Sequence, residues 1–174
     1  MRAEELREVQ APLKARYRDD PESAVVTLRA DAALGEGITC KITTGRALAA
    51  AGLHPATGGS GAELCSGDML LEALAACAGV TMRAVATAIG VAVEGTVHAE
   101  GDLDFRGTLA VDRDAPVGFR AIRLRFDLAS DADDEALAKL IALTERYCVV
   151  LQSLRGPSPV TTDWGRAAAA PLPG

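Results

Sequence analysis

The sequence predicts an α+β domain in which antiparallel strands pack against helices. Two observations carry the prediction. First, apolar and polar residues alternate strictly in two segments, near residues 91–103 and 122–128. Such alternation marks strands with one buried and one solvated face, the antiparallel habit. Second, two longer segments, near 66–89 and 134–154, repeat apolar residues every three or four positions, the helical period. The resulting order of elements is helix, hairpin, helix, strands, helix, strand, which fits segregated helices and sheet better than a doubly wound fold.

Residues 3–17 place Leu6, Val9, Gln10, Leu13 and Tyr17 on one side of a helix, and Asp19-Asp20-Pro21 ends it. Residues 23–33 are rich in Val, Thr and Leu and read as a strand. Gly35-Glu36-Gly37 is the turn, and 38–43 the returning strand. A short helix is expected over 47–51, closed by Gly52. Residues 54–61, His-Pro-Ala-Thr-Gly-Gly-Ser-Gly, have loop composition. The longest helix is expected to start at Ser66 as N-cap, with Asp68 in a first turn that favours negative charge. Leu70, Leu71, Leu74, Cys77, Ala78, Thr81, Met82, Val85 and Ile89 form its stripe, and Gly90 ends or kinks it. The alternating strand 91–103 follows, with Val91, Val93, Gly95, Val97, Ala99, Gly101 and Leu103 on one face. Additional strand residues are expected near 108–111, then the strand bearing Ile122, Leu124, Phe126 and Leu128. Acidic residues 131–134 cap one continuous helix with Leu137, Leu140, Ile141, Thr144, Tyr147, Cys148, Leu151 and Leu154 on its stripe. Gly156-Pro157 stops it, 160–164 reads as a last short strand, and RAAAAPLPG reads as a frayed tail. The domain reading is an N-terminal helix and linker over 1–22, one domain over 23–164, and a tail over 165–174.

Composition narrows the function. Lys and Arg total 18 against 24 Asp and Glu, a net charge of −6, and aromatic residues are 3%. That balance disfavours binding to phosphate backbones and stacking on bases, so no nucleic-acid partner is expected. The charged N-terminus MRAEELREVQ lacks a signal-peptide core, so a cytoplasmic, reducing location is expected. The apolar stretch 73–93 contains Arg83 and much Ala, Gly and Thr, and reads as a buried helix rather than a membrane span.

Four cysteines remain: Cys40, Cys65, Cys77 and Cys148. Cys40 and Cys65 read as small hydrophobes. No CxxC, HxxxH or Cys/His cluster is present, so no metal site and no cofactor are expected. Cys77 has two readings, inert packing or redox chemistry, and the second needs a thiolate. Cys77 lies about 16 Å into its helix, beyond the reach of that helix's own dipole. Burial alone would raise its pKa. A reactive Cys77 therefore requires a cation from another element. Arg29, in the strand segment Val25-Val26-Thr27-Leu28-Arg29, is the candidate, against its plain reading as an outward strand charge; Arg46 is a weaker one. His54 reads as a loop histidine.

The segment Asp68-Met-Leu-Leu-Glu-Ala-Leu-Ala-Ala-Cys77-Ala-Gly-Val-Thr-Met82 resembles the first-cysteine helix of the OsmC/Ohr family, the osmotically inducible protein C and organic hydroperoxide resistance proteins. Glu145-Arg-Tyr-Cys148-Val-Val-Leu-Gln-Ser-Leu154 resembles that family's second-cysteine helix. The similarity spans roughly residues 24–164. It implies an intertwined homodimer with two long central helices wrapped by antiparallel sheets. It also implies a thiol peroxidase acting in oxidative stress defence. Cys77 would become a sulfenic acid on attacking an organic hydroperoxide, and Cys148 would resolve it as a disulfide. A dithiol reductant, lipoyl or small thiol, would reset the pair. By the same resemblance Arg29 activates the thiolate and orients the peroxide. The branch's Glu ten residues before the first Cys is Gly67 here, leaving Asp68 as the nearest carboxylate. Its Pro after the second Cys is Val149, and a frequent Ser is Leu151. These departures motivate an alternative: a non-catalytic module of the same fold that binds a small apolar ligand at the dimer interface.

Overall fold

The computed structural model describes residues 3–34, 40–43, 52–61, 65–156 and 159–162, with the side chains of 3–7, 28–34 and 40–43 excepted. Helix α1 spans Ala3–Asp19, and a 3-10 turn at Pro21–Ala24 leads into β1, Val25–Leu34. Strand β2 is Cys40–Thr43, and Pro55–Thr57 forms a second 3-10 turn. Then come α2, Ser66–Ile89, and β3, Glu94–Asp104, followed by the single turn α3, Phe105–Thr108. Strand β4 is Phe119–Ala129, α4 is Asp134–Tyr147 and α5 is Val149–Arg155. The fold is thus mixed helix and sheet, as the periodicities predict. The sheet has the order β2-β1-β3-β4 with antiparallel pairs throughout.

Period-two patterning sets which sheet face is dry. Val97, Ala99 and Leu103 of β3 are buried with Leu71, Leu74, Ala75 and Ala78 of α2. Each fully buried Leu or Val contributes about 1.5–3 kcal/mol relative to exposure. The even positions of β3 carry charge instead: Arg123 of β4 bonds Asp102 at 2.9 Å and reaches Glu100, and His98 pairs with Asp127 at 3.2 Å. Gly101 falls on the helix side by the same alternation, and a Cβ there would stand 2.4 Å from the Phe119 ring. A second cluster joins Met82 and Ala86 of α2 to Val93 and Leu140. Helix α2 has the length and hydropathy of a membrane span. Its inner side nonetheless forms the domain core, and its Arg83 donates to the Val93 carbonyl at 2.9 Å. Helix α1 is fastened by Tyr17, fully buried, whose hydroxyl donates to the Ala56 carbonyl at 2.6 Å.

Several expectations are corrected. Residue Cys65, not Ser66, occupies the N-cap of α2 and makes no side-chain cap bond. Gly90 does close α2, in the left-handed conformation (φ 72°) that glycine adopts without a Cβ penalty. Residues 108–111 are not a strand. Asp104 caps α3 by accepting from the Arg106 N–H, and its carboxylate holds the Arg106 guanidinium at 2.6 Å, which turns the chain there. The expected helix over 134–154 is two helices, broken at Cys148. Residues 159–162 form no strand. The expected turn at 35–37, the helix over 47–51 and the tail 165–174 lie outside the described residues.

Candidate active site

The break at Cys148 has local causes. The Cys148 N–H still bonds the Thr144 carbonyl at 2.9 Å, but its φ and ψ of −71° and 104° are extended. Its own carbonyl then accepts from the Gln152 N–H at 2.9 Å, starting α5. The β-branched pair Val149-Val150 weakens helix continuation, and the Thr144 hydroxyl bonds back to the Leu140 carbonyl at 2.8 Å, a contact that bends helices. No Gly or Pro announces the break, so periodicity runs through it.

The break aims the first N–H groups of α5 at two sulfurs. Cys77, one face of α2, is half-buried; Cys148 is fully buried. The two thiols are within hydrogen-bonding reach of each other. Burial pushes the Cys77 thiol up, but the Val150 N–H, the Cys148 thiol, the Thr81 hydroxyl and the Val149 N–H together bring it below its ordinary value. Burial dominates at Cys148, and the neighbouring Cys77 adds to it. The Leu151 and Val150 N–H groups offset only part, so this thiol is pushed up to about 11. The pair is thereby split into a sulfur inclined to ionise and one held protonated, which is the division a nucleophile and its resolving partner need.

Thus the stabilising groups described at Cys77 are backbone N–H donors, a hydroxyl and a thiol, rather than a guanidinium. Unbonded N–H groups at a helix start lower a nearby thiol in the same sense as a cation. Sequence reasoning weighed the dipole of α2 and a cation such as Arg29, and missed α5, which its reading had merged into α4. Thr81 could have been found as a donor, since it lies four residues after Cys77 on the same helix face.

The other candidates fall elsewhere. Arg29 pairs in register with Glu100; its side chain lies outside the described residues, as does Arg46. Asp68 lies nine residues before Cys77, about 13 Å along the axis and half a turn around it. Its neighbours are His54 and Glu72: burial raises Asp68 and His54 lowers it, while burial and Asp68 both raise Glu72. His54 stacks on Phe105 with centroids 5.0 Å apart, and its Nδ1 accepts from the Ala56 N–H at 3.0 Å. Burial lowers its pKa against the pull of Asp68. Cys65 is half-buried at the α2 cap. The side chain of Cys40 is outside the described residues. Among the described residues no group of three or more His, Cys, Asp or Glu is arranged to hold a metal ion.

A cleft of about 350 Å³ lies between β4 and α5. Leu74, Phe119, Ile122, Leu124, Leu151 and Leu154 line it, with Arg120, Glu145 and Arg155 also at its walls. Leu74 precedes Cys77 by one turn of α2, and Leu151 follows Cys148 by one turn. The lining is thus mixed, with aliphatic and aromatic side chains beside two guanidinium groups and a carboxylate.

Comparison with known proteins agrees with this architecture. Residues 59–163 match the family described as OsmC-like protein. No curated protein matches the chain. Among solved structures, the crystal structure of an OsmC-like hydroperoxide resistance protein from Jannaschia sp. CCS1 is similar in fold, with a TM-score of 0.60 and 16% identity, over 84% of this chain and 97% of that one. The matched segment takes in α2 with Cys77 and the α4–α5 junction with Cys148, and it exceeds half the sequence: the chain belongs to the OsmC-like protein family.

Proposed function

We propose that the chain is a thiol-dependent peroxidase that reduces organic hydroperoxides in oxidative stress defence. The observation that carries this reading is the contact between two thiols of opposite tendency, Cys77 lowered and Cys148 raised. In this reading the Cys77 thiolate attacks the terminal peroxide oxygen and becomes a sulfenic acid, releasing an alcohol. Cys148 then displaces the sulfenic hydroxyl, giving a disulfide and water. A dithiol, lipoyl or small, returns both sulfurs to thiols by exchange in a reducing cytoplasm. The leucine, isoleucine and phenylalanine side chains of the cleft suit an alkyl or aryl body, and the resemblance assigns orientation of the peroxide to Arg29. The name of the Jannaschia protein, hydroperoxide resistance, supports the same class of substrate. A homodimer is part of the proposal: Val80, 39% exposed, leaves apolar surface on α2 for a second copy.

The test is consumption of cumene hydroperoxide with dihydrolipoamide as reductant. Cys77→Ser abolishes turnover, and Cys148→Ser leaves Cys77 oxidised without disulfide. Equal turnover by Cys77→Ser overturns the proposal. The cleft also favours a second reading, a binding module for a small apolar ligand. That reading gains if the wild-type chain binds such a ligand but consumes no peroxide.

A further inference from the structure

We propose that His54 is an acid-sensitive clasp: as a neutral ring it holds the Pro55–Thr57 turn in the shape that grips helix α1, and protonation of the ring releases that helix. The inference does not depend on the peroxidase reading. Both α1 and His54 precede residues 59–163, the segment that matches the OsmC-like family.

The clasp follows from a hydrogen-bond account of the turn. Three of its backbone donors are met by backbone: the Thr57 and Gly59 N–H groups bond the His54 carbonyl at 2.8 and 3.1 Å, and the Gly58 N–H bonds the Pro55 carbonyl at 3.0 Å. Pro55 has no N–H. The Ala56 N–H alone relies on a side chain, and His54 Nδ1 accepts it at 3.0 Å from the N-cap position. An imidazole nitrogen accepts only while it carries no proton; in the imidazolium both nitrogens are donors. The neutral ring therefore carries its proton on Nε2, and a second proton would set two N–H groups against each other.

The same turn supplies the acceptors that hold α1. The Ala56 carbonyl accepts from the Tyr17 hydroxyl at 2.6 Å, and the Thr57 carbonyl accepts from the Gln10 side-chain amide at 3.1 Å. Thr57 is buried, and its hydroxyl donates to the His54 carbonyl at 2.9 Å. Gly58 closes the turn in the left-handed conformation (φ 92°), so near to α1 that a Cβ would stand 2.8 Å from Val9. Loss of the cap thus moves the two carbonyls on which Tyr17 and Gln10 depend.

The surroundings give the protonated ring somewhere to go. From α3, Phe105 stacks on the neutral ring with centroids 5.0 Å apart, while Arg106 is engaged by Asp104 at 2.6 Å and Asp112 at 3.2 Å. From α1, Arg16 donates to the Tyr17 hydroxyl at 3.2 Å. From α2, Asp68 attracts an imidazolium, with Glu72 beside Asp68. The ring thus has two arrangements, capping Ala56 when neutral and turned toward Asp68 when charged. Burial outweighs Asp68 and lowers the His54 pKa on folding. Its hold on α1 is therefore full above about pH 6.5 and fades as pH falls below that value.

The experiment is hydrogen–deuterium exchange of the full chain at about pH 7.5 and about pH 5, the range in which histidine changes charge. Rates are corrected for the intrinsic pH dependence of amide exchange and read on peptides of α1, with β3 as the internal reference. Protection of α1 in the wild type is expected to fall about fivefold or more at the lower pH, the worth of one cap, while β3 is unchanged. His54→Asn puts a non-titrating acceptor at the cap, so its α1 is expected to stay protected at both pH values. His54→Ala has no acceptor, and its α1 is expected to exchange at both pH values as fast as the acidified wild type. Wild-type α1 protection that is the same at both pH values overturns the inference, and so does a fall in His54→Asn equal to that in the wild type. Asp68→Asn carries the test if His54→Asn does not fold. Its release midpoint is expected at lower pH, because the charge that favours the imidazolium is gone, and a midpoint that stays or rises overturns the switch. No readout involves peroxide, so each of these failures leaves the peroxidase reading intact.

Discussion

Replacing Val149 with proline removes one backbone N–H from the Cys77 sulfur and little else. Val149 is the first residue of α5, where an N–H has no intrahelical acceptor and proline is well tolerated. Its side chain is 70% exposed, so little packing is lost. The preceding residue must be extended before a proline, and Cys148 already is, at φ −71° and ψ 104°. A hydrogen bond to a charged group contributes about 1.5–3 kcal/mol. Cys77 is half-buried and keeps three other donors, so the lower end applies. The Val149 N–H is the weakest of the groups that lower Cys77, so about 1.5 kcal/mol, about one pKa unit upward, is the ceiling of its effect. The assay is the pH dependence of iodoacetamide alkylation of reduced protein, read at the Cys77 peptide by mass spectrometry. The midpoint rises in Val149→Pro, by at most about one unit, with the melting temperature essentially unchanged, and at a pH below both midpoints the alkylation rate drops by at most about tenfold. An unmoved midpoint in a folded Val149→Pro protein refutes the assignment of the Val149 N–H to the thiolate. The substitution also restores the residue that the OsmC/Ohr resemblance expects after the second cysteine, so it measures what that departure does.

Two further predictions concern the sheet. Arg123 and then Thr27 hold Asp102 down at about 2, and Arg106 lowers Asp104. Both carboxylates are depressed on folding, so their stabilisation is present above the unfolded value near 3.9 and is lost as pH falls toward 2. Melting temperature is expected to fall steeply below about pH 4 and less steeply in Asp102→Asn; parallel curves contradict the linkage. Arg106→Ala leaves the Asp104 carboxylate, 1% exposed, without its guanidinium, with Arg120 only at 3.9 Å. Urea unfolding is expected to show a lowered midpoint, and an unmoved midpoint would mean that Arg120 or solvent replaces the pair.

The elements that could be read from sequence are those whose pattern is long and local. Strand β3 alternates over eleven residues and α2 repeats over 24, so their buried faces follow from residue spacing. The segments that misled are short, or governed by partners distant in sequence or by side-chain bonds. Residues 108–111 have strand composition, yet the Asp104–Arg106 pair turns the backbone before them. The helix through Cys148 has unbroken periodicity, yet two β-branched residues and the bend at Thr144 interrupt it. Of the site, Cys77 and Cys148 could be singled out by helix position and by resemblance. Their contact could not, because it joins residues 71 positions apart.

The sequence by itself determined the mixed helix-and-sheet class, the dry face of β3 and the pair of cysteines to examine, whereas Val9, Tyr147 and Leu154, placed on apolar stripes by their spacing, are exposed. It also determined that the N-terminus of α2 could not activate Cys77, because distance along a helix follows from residue count alone. Only the tertiary structure decided what takes that role. The break at Cys148 turns the start of α5 toward α2, so that N–H groups of Val149 and Val150 reach the Cys77 sulfur. Hydrogen bonds depend on direction and on a few ångströms of approach, and periodicity carries neither. The same packing buries Cys148 beside Cys77 and separates the chemistry of two residues that the sequence presents as alike.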